Sequence, residues 1–345
     1  MISYQTTTPG APLVEVKSST PQPQGTEVLM KTLACGVCHS DIHMHDGVFE
    51  LGGGKQLEVG REGMVLGHEI FGEVIAVGPE AENVQPGDRR VVFPWIGCGE
   101  CASCLRGDEQ LCTPGRALGI MNPGGFADHV LVPHSRYLFD KGDVPDSLAA
   151  TYACSGLTAY GALKKVGTLH AGDEVVIIGA GGVGMMAIQI ARALGMDPIV
   201  VDIDEDKLVA AAALGVTRTY NSTDAQSAKA IRKATGGAFA ALDFVGAEAS
   251  VNYALGCLRK GGMLVIVGLY GGALTIPIPF IPMNARIIHG SYVGSLQDMD
   301  ELMAMVRAGK IAPIDIIERP LDEANQALVD LKAGKVRGRQ VLVNT

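Results

Sequence analysis

The sequence predicts an α/β protein in which a doubly wound parallel sheet is joined to an irregular, β-rich domain. Two textures of the chain predict this. From Ala171 onward, five apolar, strand-like runs alternate with helix-like segments, and a parallel sheet covered by helices on both faces requires such continuous apolar strands. The residues before that point hold Gly, Pro and short β-like runs, with no helix-period segment of length. At 345 residues the chain exceeds what one hydrophobic core normally fills, so two domains are expected.

In the first part, "EVLMKTLAC" (27–35), "EIFGEVIAVG" (69–78) and "DRRVVFP" (88–94) read as strands, with Pro86-Gly87-Asp88 as a turn. In the second, the strands are 173–181, 198–202, 217–221, 238–246 and 263–269, and the helices between them 183–195, 204–215, 225–237 and 247–262. The uncharged stretch 263–283 has the length of a membrane span, but Pro277, Pro279 and Pro282 interrupt any helix there. It reads as a buried strand followed by an irregular edge segment. After Val293, "LQDMDELMAMVRAG" reads as a helix leading to a last helix–strand pair that ends in "GRQVLV", a tail too short to fold alone.

The first strand of the alternation runs into "GAGGVG", which sets Gly179, Gly181 and Gly184 at G-x-G-x-x-G spacing, with Gly182 and Val183 between them. Alone the pattern is weak. After a strand and at the start of a helix it is the Rossmann dinucleotide turn, whose helix N-terminus offers free N–H groups to a pyrophosphate. Asp202 ends the next strand, 18 residues beyond Gly184, where a carboxylate accepts from ribose hydroxyls and repels a 2′-phosphate. Lys207 is placed to reach the ribose edge. NAD is therefore expected over NADP, the plainer alternative being that Asp202 caps the helix beginning near Asp204.

"CGECASCLRGDEQLC" places Cys98, Cys101, Cys104 and Cys112 at C-x2-C-x2-C-x7-C. Two-residue gaps let successive thiolates converge on one ion, giving a closed tetrahedral zinc site; an iron–sulfur cluster is the metal alternative. A closed site has no open position and is expected to be structural. "CGVCHSD" (35–41) and "GHE" (67–69) gather more thiols, an imidazole and carboxylates, and cysteine clustering of this kind points to metal before disulfides in a reducing compartment. The N-terminal "MISYQTTTPG" lacks the features of a secretory signal, and a cytoplasmic location without a membrane segment is expected. A formal net charge of −9 argues against a nucleic-acid partner.

These motifs, with "GHEIFGEVIAVG", "CSGLTAYGAL" (154–163) and the terminal "GRQV", resemble the zinc-dependent medium-chain alcohol dehydrogenases over essentially the whole length. The stretch from His43 to Glu69 is most similar to their prokaryotic branch, which is tetrameric, uses NAD and oxidises varied primary, secondary and aromatic alcohols. The resemblance implies a GroES-like catalytic domain over 1–153 with a structural zinc lobe at about 95–113, an NAD-binding Rossmann domain over 154–293, and a segment 294–345 rejoining the first. It implies Cys38, His68 and Cys154 as ligands of a catalytic zinc with a fourth position open; Cys154 lies 86 residues beyond His68, and spacing alone would leave it a buried thiol.

The same resemblance implies that Glu69 stands behind the metal and that Asp41 orients the ligand histidine. Ser40 would hand the alcohol proton through ribose to His43, which otherwise is a loop histidine. His39 and Arg339 would reach the coenzyme phosphates. Cys35 and Cys257 match no ligand and read as packing. Trp95, with Ile120 and Leu296, would line a pocket for flat or bulky substrates, although the indole also suits ordinary core. Two zinc ions per chain, a small alcohol, aldehyde or ketone as substrate and a homotetramer, or a dimer, follow from the resemblance. A polyol, amino-acid or formaldehyde-adduct dehydrogenase is the rival enzyme, and a non-enzymatic NAD sensor is disfavoured because no ligand or relay group is missing.

Overall fold

The structure, a computed structural model, describes residues 1–344. The chain folds into two compact units, one formed by 1–48, 58–157 and 294–345, the other by 49–57 and 158–293.

The second unit carries a six-stranded, all-parallel sheet. Across the sheet the strands run Thr219–Asn221, Ile199–Asp202, Val175–Ile178, Ala238–Asp243, Leu258–Ile266 and Ile287–Gly290. In chain order this is 3-2-1-4-5-6, the doubly wound arrangement that binds dinucleotides where the order reverses. Val176, Ile178, Val201 and Leu264 are buried in one cluster with Ile231 and Val251 of the flanking helices Ser227–Thr235 and Glu248–Cys257. Each such fully buried Val, Ile or Leu contributes about 1.5–3 kcal/mol.

Four of the six strands fall within the runs expected from the sequence, and a fifth, Leu258–Ile266, overlaps its run but begins at Leu258, inside the stretch expected as helix. The sixth matches none of them. Ile287 and Ile288 are 47% and 37% exposed, so this edge strand presents no buried apolar run to read. Segment 267–279 is irregular and leads to the short helix Phe280–Met283. The unit also includes a hairpin that sequence analysis assigned to the first domain: the strands Val48–Gly52 and Lys55–Glu58 place 49–57 in it, with Gly52 in contact with the Gly272 backbone.

The first unit is built on a seven-stranded sheet. Its central strand, Val28–Gly36, pairs antiparallel with Glu69–Val77, His129–Val132 and Arg339–Val343. Arg339–Val343 in turn pairs parallel with Ile316–Pro320, while Arg89–Val92 and Leu138–Phe139 complete the other side. The helix Leu296–Arg307 opens on a capping box in which Ser295 Oγ accepts from the Asp298 N–H and Asp298 accepts from the Ser295 N–H.

Two helical segments here correct the expectation of an all-irregular β domain. His39–Asp46 follows the central strand, and Asp146–Thr151 leads through a π-turn, Tyr152–Gly156, into a helix at Leu157. The first is only eight residues of mostly polar sequence and shows no amphipathic stripe. What holds it is its cap and the burial of Asp41, Ile42 and Met44.

Candidate active site and metal centres

The cluster of Cys38, His68 and Cys154 grows from the strand end at Gly36. Cys38 is the N-cap of His39–Asp46, and Asp41, in the first turn, accepts the Cys38 N–H at 2.8 Å through Oδ2. Its Oδ1 accepts the Gly67 N–H at 3.1 Å and faces His68 Nδ1 at 3.1 Å. One fully buried carboxylate thus ties the helix to the segment entering Glu69–Val77, and it fixes the proton of His68 on Nδ1. The opposite nitrogen, Nε2, is buried without a hydrogen-bond partner.

The third member comes from the π-turn. Extra backbone slack at such turns re-aims a side chain, and this one carries Cys154. A ring nitrogen of His68 and the sulfurs of Cys38 and Cys154 lie within 4.8 Å of one another, all buried. Hydrogen bonding from Cys154, reinforced by His68, holds the Cys38 thiol well below its ordinary range, while the same contact and burial push Cys154 well above. Burial opposes charge on His68, yet the Asp41 carboxylate outweighs it and raises the imidazole. Two thiols converging on an orphaned imidazole nitrogen are the donor set of a zinc ion with one position left open.

Glu69 lies behind this cluster. Its Oε1 accepts the Ser155 N–H at 2.9 Å, and its Oε2 forms an ion pair with Arg339. A Cβ on Gly36 would sit 1.9 Å from Oε2, so only glycine leaves room for the carboxylate. Arg339, expected at the coenzyme phosphates, sits here against Glu69. Its strand pairs with the end of Val28–Gly36, its residue is 3% exposed, and its guanidinium balances a buried Glu69 that would otherwise be an uncompensated charge. Nothing in the sequence separates those two roles for an arginine.

Ser40 and His43 are three residues apart on His39–Asp46 and therefore share a face. Cys38 Sγ lies 4.0 Å from Ser40 Oγ. His43 is half-buried, and burial lowers its pKa from the ordinary 6.5. His39 is exposed at the helix start. Trp95 is buried with its ring centroid 5.4 Å from that of His68, and its Nε1 donates to the Ala153 carbonyl at 3.1 Å. Ile120 and Leu296 are partly exposed, Leu296 at the first turn of its helix.

In the separate cysteine lobe, sulfur–sulfur distances are 3.9 Å for Cys98–Cys104, 3.5 Å for Cys101–Cys104 and 3.9 Å for Cys101–Cys112. Four thiolates at about 2.3 Å from a tetrahedral zinc stand about 3.8 Å apart. The lobe has room for one ion and none for a multi-iron cluster, and none of the eight cysteines is in a disulfide. Backbone N–H groups of Glu100 and Cys101 bring the Cys98 thiol down to about 6. Sequence analysis missed Glu109, which anchors the lobe. Its Oε2 accepts from the Gly97 N–H at 3.2 Å and the Tyr137 hydroxyl at 2.7 Å, and its Oε1 pairs with Arg136 at 3.0 Å.

In the second unit the glycine turn joins Val175–Ile178 to the helix Gly182–Ala193, with Gly181 as N-cap. A Cβ on Gly184 would meet the Gly179 carbonyl oxygen at 1.8 Å, so this glycine permits the close approach of helix to strand. Asp202, 7% exposed, accepts the Ala180 N–H at 2.7 Å and the Asp204 N–H at 3.0 Å. Asp204, not Asp202, caps the next helix, accepting from the Asp206 N–H. Each Asp202 oxygen keeps a second lone pair for a ribose hydroxyl. Lys207 sits partly exposed in the helix Glu205–Ala213.

Fold and site together define a zinc- and dinucleotide-dependent oxidoreductase. Residues 24–146 match the alcohol dehydrogenase GroES-like domain, and 182–308 match the zinc-binding dehydrogenase domain. The chain is 40% identical to an NAD-dependent alcohol dehydrogenase of Sulfurisphaera tokodaii, over 97% of each chain. In structure it is similar to the alcohol dehydrogenase of Aeropyrum pernix, with a TM-score of 0.88 and 29% identity over 100% of both chains. It is also similar to an acetophenone reductase of Geotrichum candidum solved with NAD, with a TM-score of 0.86 and 27% identity over 99% of this chain and 97% of that one. The chain belongs to the zinc-dependent medium-chain alcohol dehydrogenase family. It is an NAD-dependent oxidoreductase that uses zinc.

Proposed function

We propose that Cys38, His68 and Cys154 hold the catalytic zinc, that Cys98, Cys101, Cys104 and Cys112 hold a structural one, and that the enzyme interconverts primary or secondary alcohols, including bulky or aromatic ones, with aldehydes or ketones. The observation that carries this reading is His68 Nε2, buried and unpartnered beside two thiols while Asp41 holds the proton on Nδ1. When bound, zinc supplies Lewis acidity toward the substrate oxygen and NAD supplies the hydride acceptor. Asp41 keeps His68 in the liganding tautomer. Ser40 Oγ, beside Cys38, takes the hydroxyl proton, and His43 on the same helix face receives it as a general base left neutral by burial.

The unit containing 158–293 holds the coenzyme. Gly179 to Gly184, with Gly181, Gly182 and Val183 at the helix N-terminus, receive the pyrophosphate, and Asp202 and Lys207 hold the ribose. His39, exposed, is a weaker phosphate contact, and Arg339 serves Glu69 first. Trp95 beside His68, with Ile120 and Leu296, forms a wall suited to flat substrates; the acetophenone reductase named above acts, by its name, on such a ketone.

Self-association is supported by the exposed edge strand Ile287–Gly290, whose free backbone groups and apolar side chains suit a second copy, in a dimer or in a tetramer made of two such dimers. Among the described residues no helix is long and apolar enough to cross a membrane, and eight cysteines outside any disulfide support a reducing, cytoplasmic setting. Initial rates over a panel of aliphatic, aromatic and polyol substrates with NAD and NADP test the reading. Turnover confined to polyols, amino acids or formaldehyde adducts would replace it.

A further inference from the structure

A cavity of about 370 Å³ lies in the second unit against the helices Ser227–Thr235 and Glu248–Cys257 and the start of Leu258–Ile266. Three cations line it, Arg232, Lys260 and Arg286, and no carboxylate does so among the described residues. Arg286 is 8% exposed, and its Nη1 donates at 2.8 Å to the Arg259 carbonyl. Its Nε is buried with no partner. Burial, then repulsion from Arg232, lowers its affinity for its own proton. A guanidinium kept from water beside a second guanidinium, with no anion to balance it, is costly in an isolated chain.

The same cavity has an apolar wall of Leu255, Ile276 and Phe280, the last under the Arg286 guanidinium at 5.8 Å. Its volume falls in the range of small-molecule sites. We propose that it binds a phosphate-bearing small molecule, whose oxyanion is held by Arg286, Arg232 and Lys260 and whose organic part lies on Phe280 and Ile276. Planar guanidinium forks match phosphate oxygens in pairs, and a dianion answers the unbalanced charge.

This site is separate from the coenzyme phosphates. Ile178, Asp243 and Ile266 are in register, so the glycine turn that follows Ile178 stands at the Ile266 end of the sheet. Leu258, which also lines the cavity, is paired with Ala238, five residues from Asp243 along the neighbouring strand, so the cavity lies at the opposite end of the sheet, about 16 Å away at about 3.3 Å per residue.

The test uses zinc-loaded enzyme saturated with NADH, so that the coenzyme phosphates are already in place. Melting temperature is followed against inorganic phosphate, and separately phenyl phosphate, at constant ionic strength set with chloride. A saturable rise is expected, reached at lower concentration with phenyl phosphate. Lys260→Met and Arg232→Gln, both at exposed positions, should each weaken it about tenfold, since each removes one charged donor. Arg286→Met should abolish it. No phosphate-specific rise would overturn the proposal, as would a rise kept in full by both rim variants. Light scattering distinguishes a free oxyanion from a carboxylate of a second copy: an assembly that falls apart in the rim variants, with no phosphate response in the parent, assigns the cations to that copy and also overturns it.

Discussion

Replacing Asp41 by Asn isolates what one buried carboxylate does for the metal site. The carboxylate serves three N–H groups, Gly67 N and His68 Nδ1 through Oδ1 and Cys38 N through Oδ2. An amide has one oxygen, so two orientations compete. With the oxygen at the Oδ1 position, Gly67 and His68 keep their acceptor and the NH2 faces the Cys38 N–H, donor against donor. The cost is one unpaired buried N–H at the helix cap, about 1–3 kcal/mol, or about 2–4 °C of melting temperature per kcal/mol for a unit of this size.

With the amide flipped, the NH2 faces Nδ1, the imidazole proton moves to Nε2, and the nitrogen that should bind metal becomes a donor. Loss of such an orienting partner weakens metal about 10- to 100-fold. Both routes leave the four-cysteine lobe untouched. The assay is stepwise chelator competition with zinc counted per chain, alongside melting curves. One zinc should leave about 10- to 100-fold more readily while the other stays, with a melting loss of a few degrees. A D41N enzyme that releases both ions at the parent rate and melts with the parent would refute the assignment of Asp41 and the tautomer argument together.

Cys38→Ser should abolish turnover and lower zinc to one ion per chain with little change in melting, whereas Cys101→Ser should chiefly lower the melting temperature, because closed metal sites contribute folding energy; elemental analysis and thermal scans read both. His43→Gln should depress alcohol oxidation mostly at low pH and be partly rescued by imidazole buffer. Burial holds the His43 pKa below 6.5, so the parent enzyme should keep its base down to a pH somewhat under that value and lose rate only as pH falls further. A parent-like pH–rate profile in the variant would make His43 an ordinary helix residue. Asp202→Gly should shrink the preference for NAD over NADP in kcat/KM, and a parent enzyme that prefers NADP would remove the ribose role.

What was legible in the sequence follows from what each signal depends on. Strands such as Val175–Ile178 and Ala238–Asp243 are buried on both faces, so they announce themselves as apolar runs. Ile287–Gly290 is an exposed edge and the helix His39–Asp46 is short and polar, so neither writes a period into the chain. The four-cysteine lobe is local, and two-residue spacing is its geometry. The Cys38, His68 and Cys154 cluster is not local: Cys154 joins it from a π-turn far along the chain, and no spacing rule encodes that. Arg339 shows the same limit. Its type and position were plain, but its partner depends on the pairing of Val341 with Gly36, a contact between distant parts of the chain.

That last pairing bears on how the protein is made. Arg339 follows Glu69 by 270 residues, so during synthesis the carboxylate exists long before its counter-ion. At about 5–20 residues per second the wait lasts tens of seconds. Through that interval the central sheet lacks the strand Arg339–Val343, and closing it would trap Glu69 without compensation. Most of the second unit, 158–293, is by contrast a continuous stretch whose strands pair with near neighbours, and it is fully synthesised before Arg339 emerges. Assembly of the metal-binding unit is therefore timed by its last strand, and a ribosome stalled shortly before residue 339 would display a finished nucleotide fold attached to an open, zinc-hungry sheet.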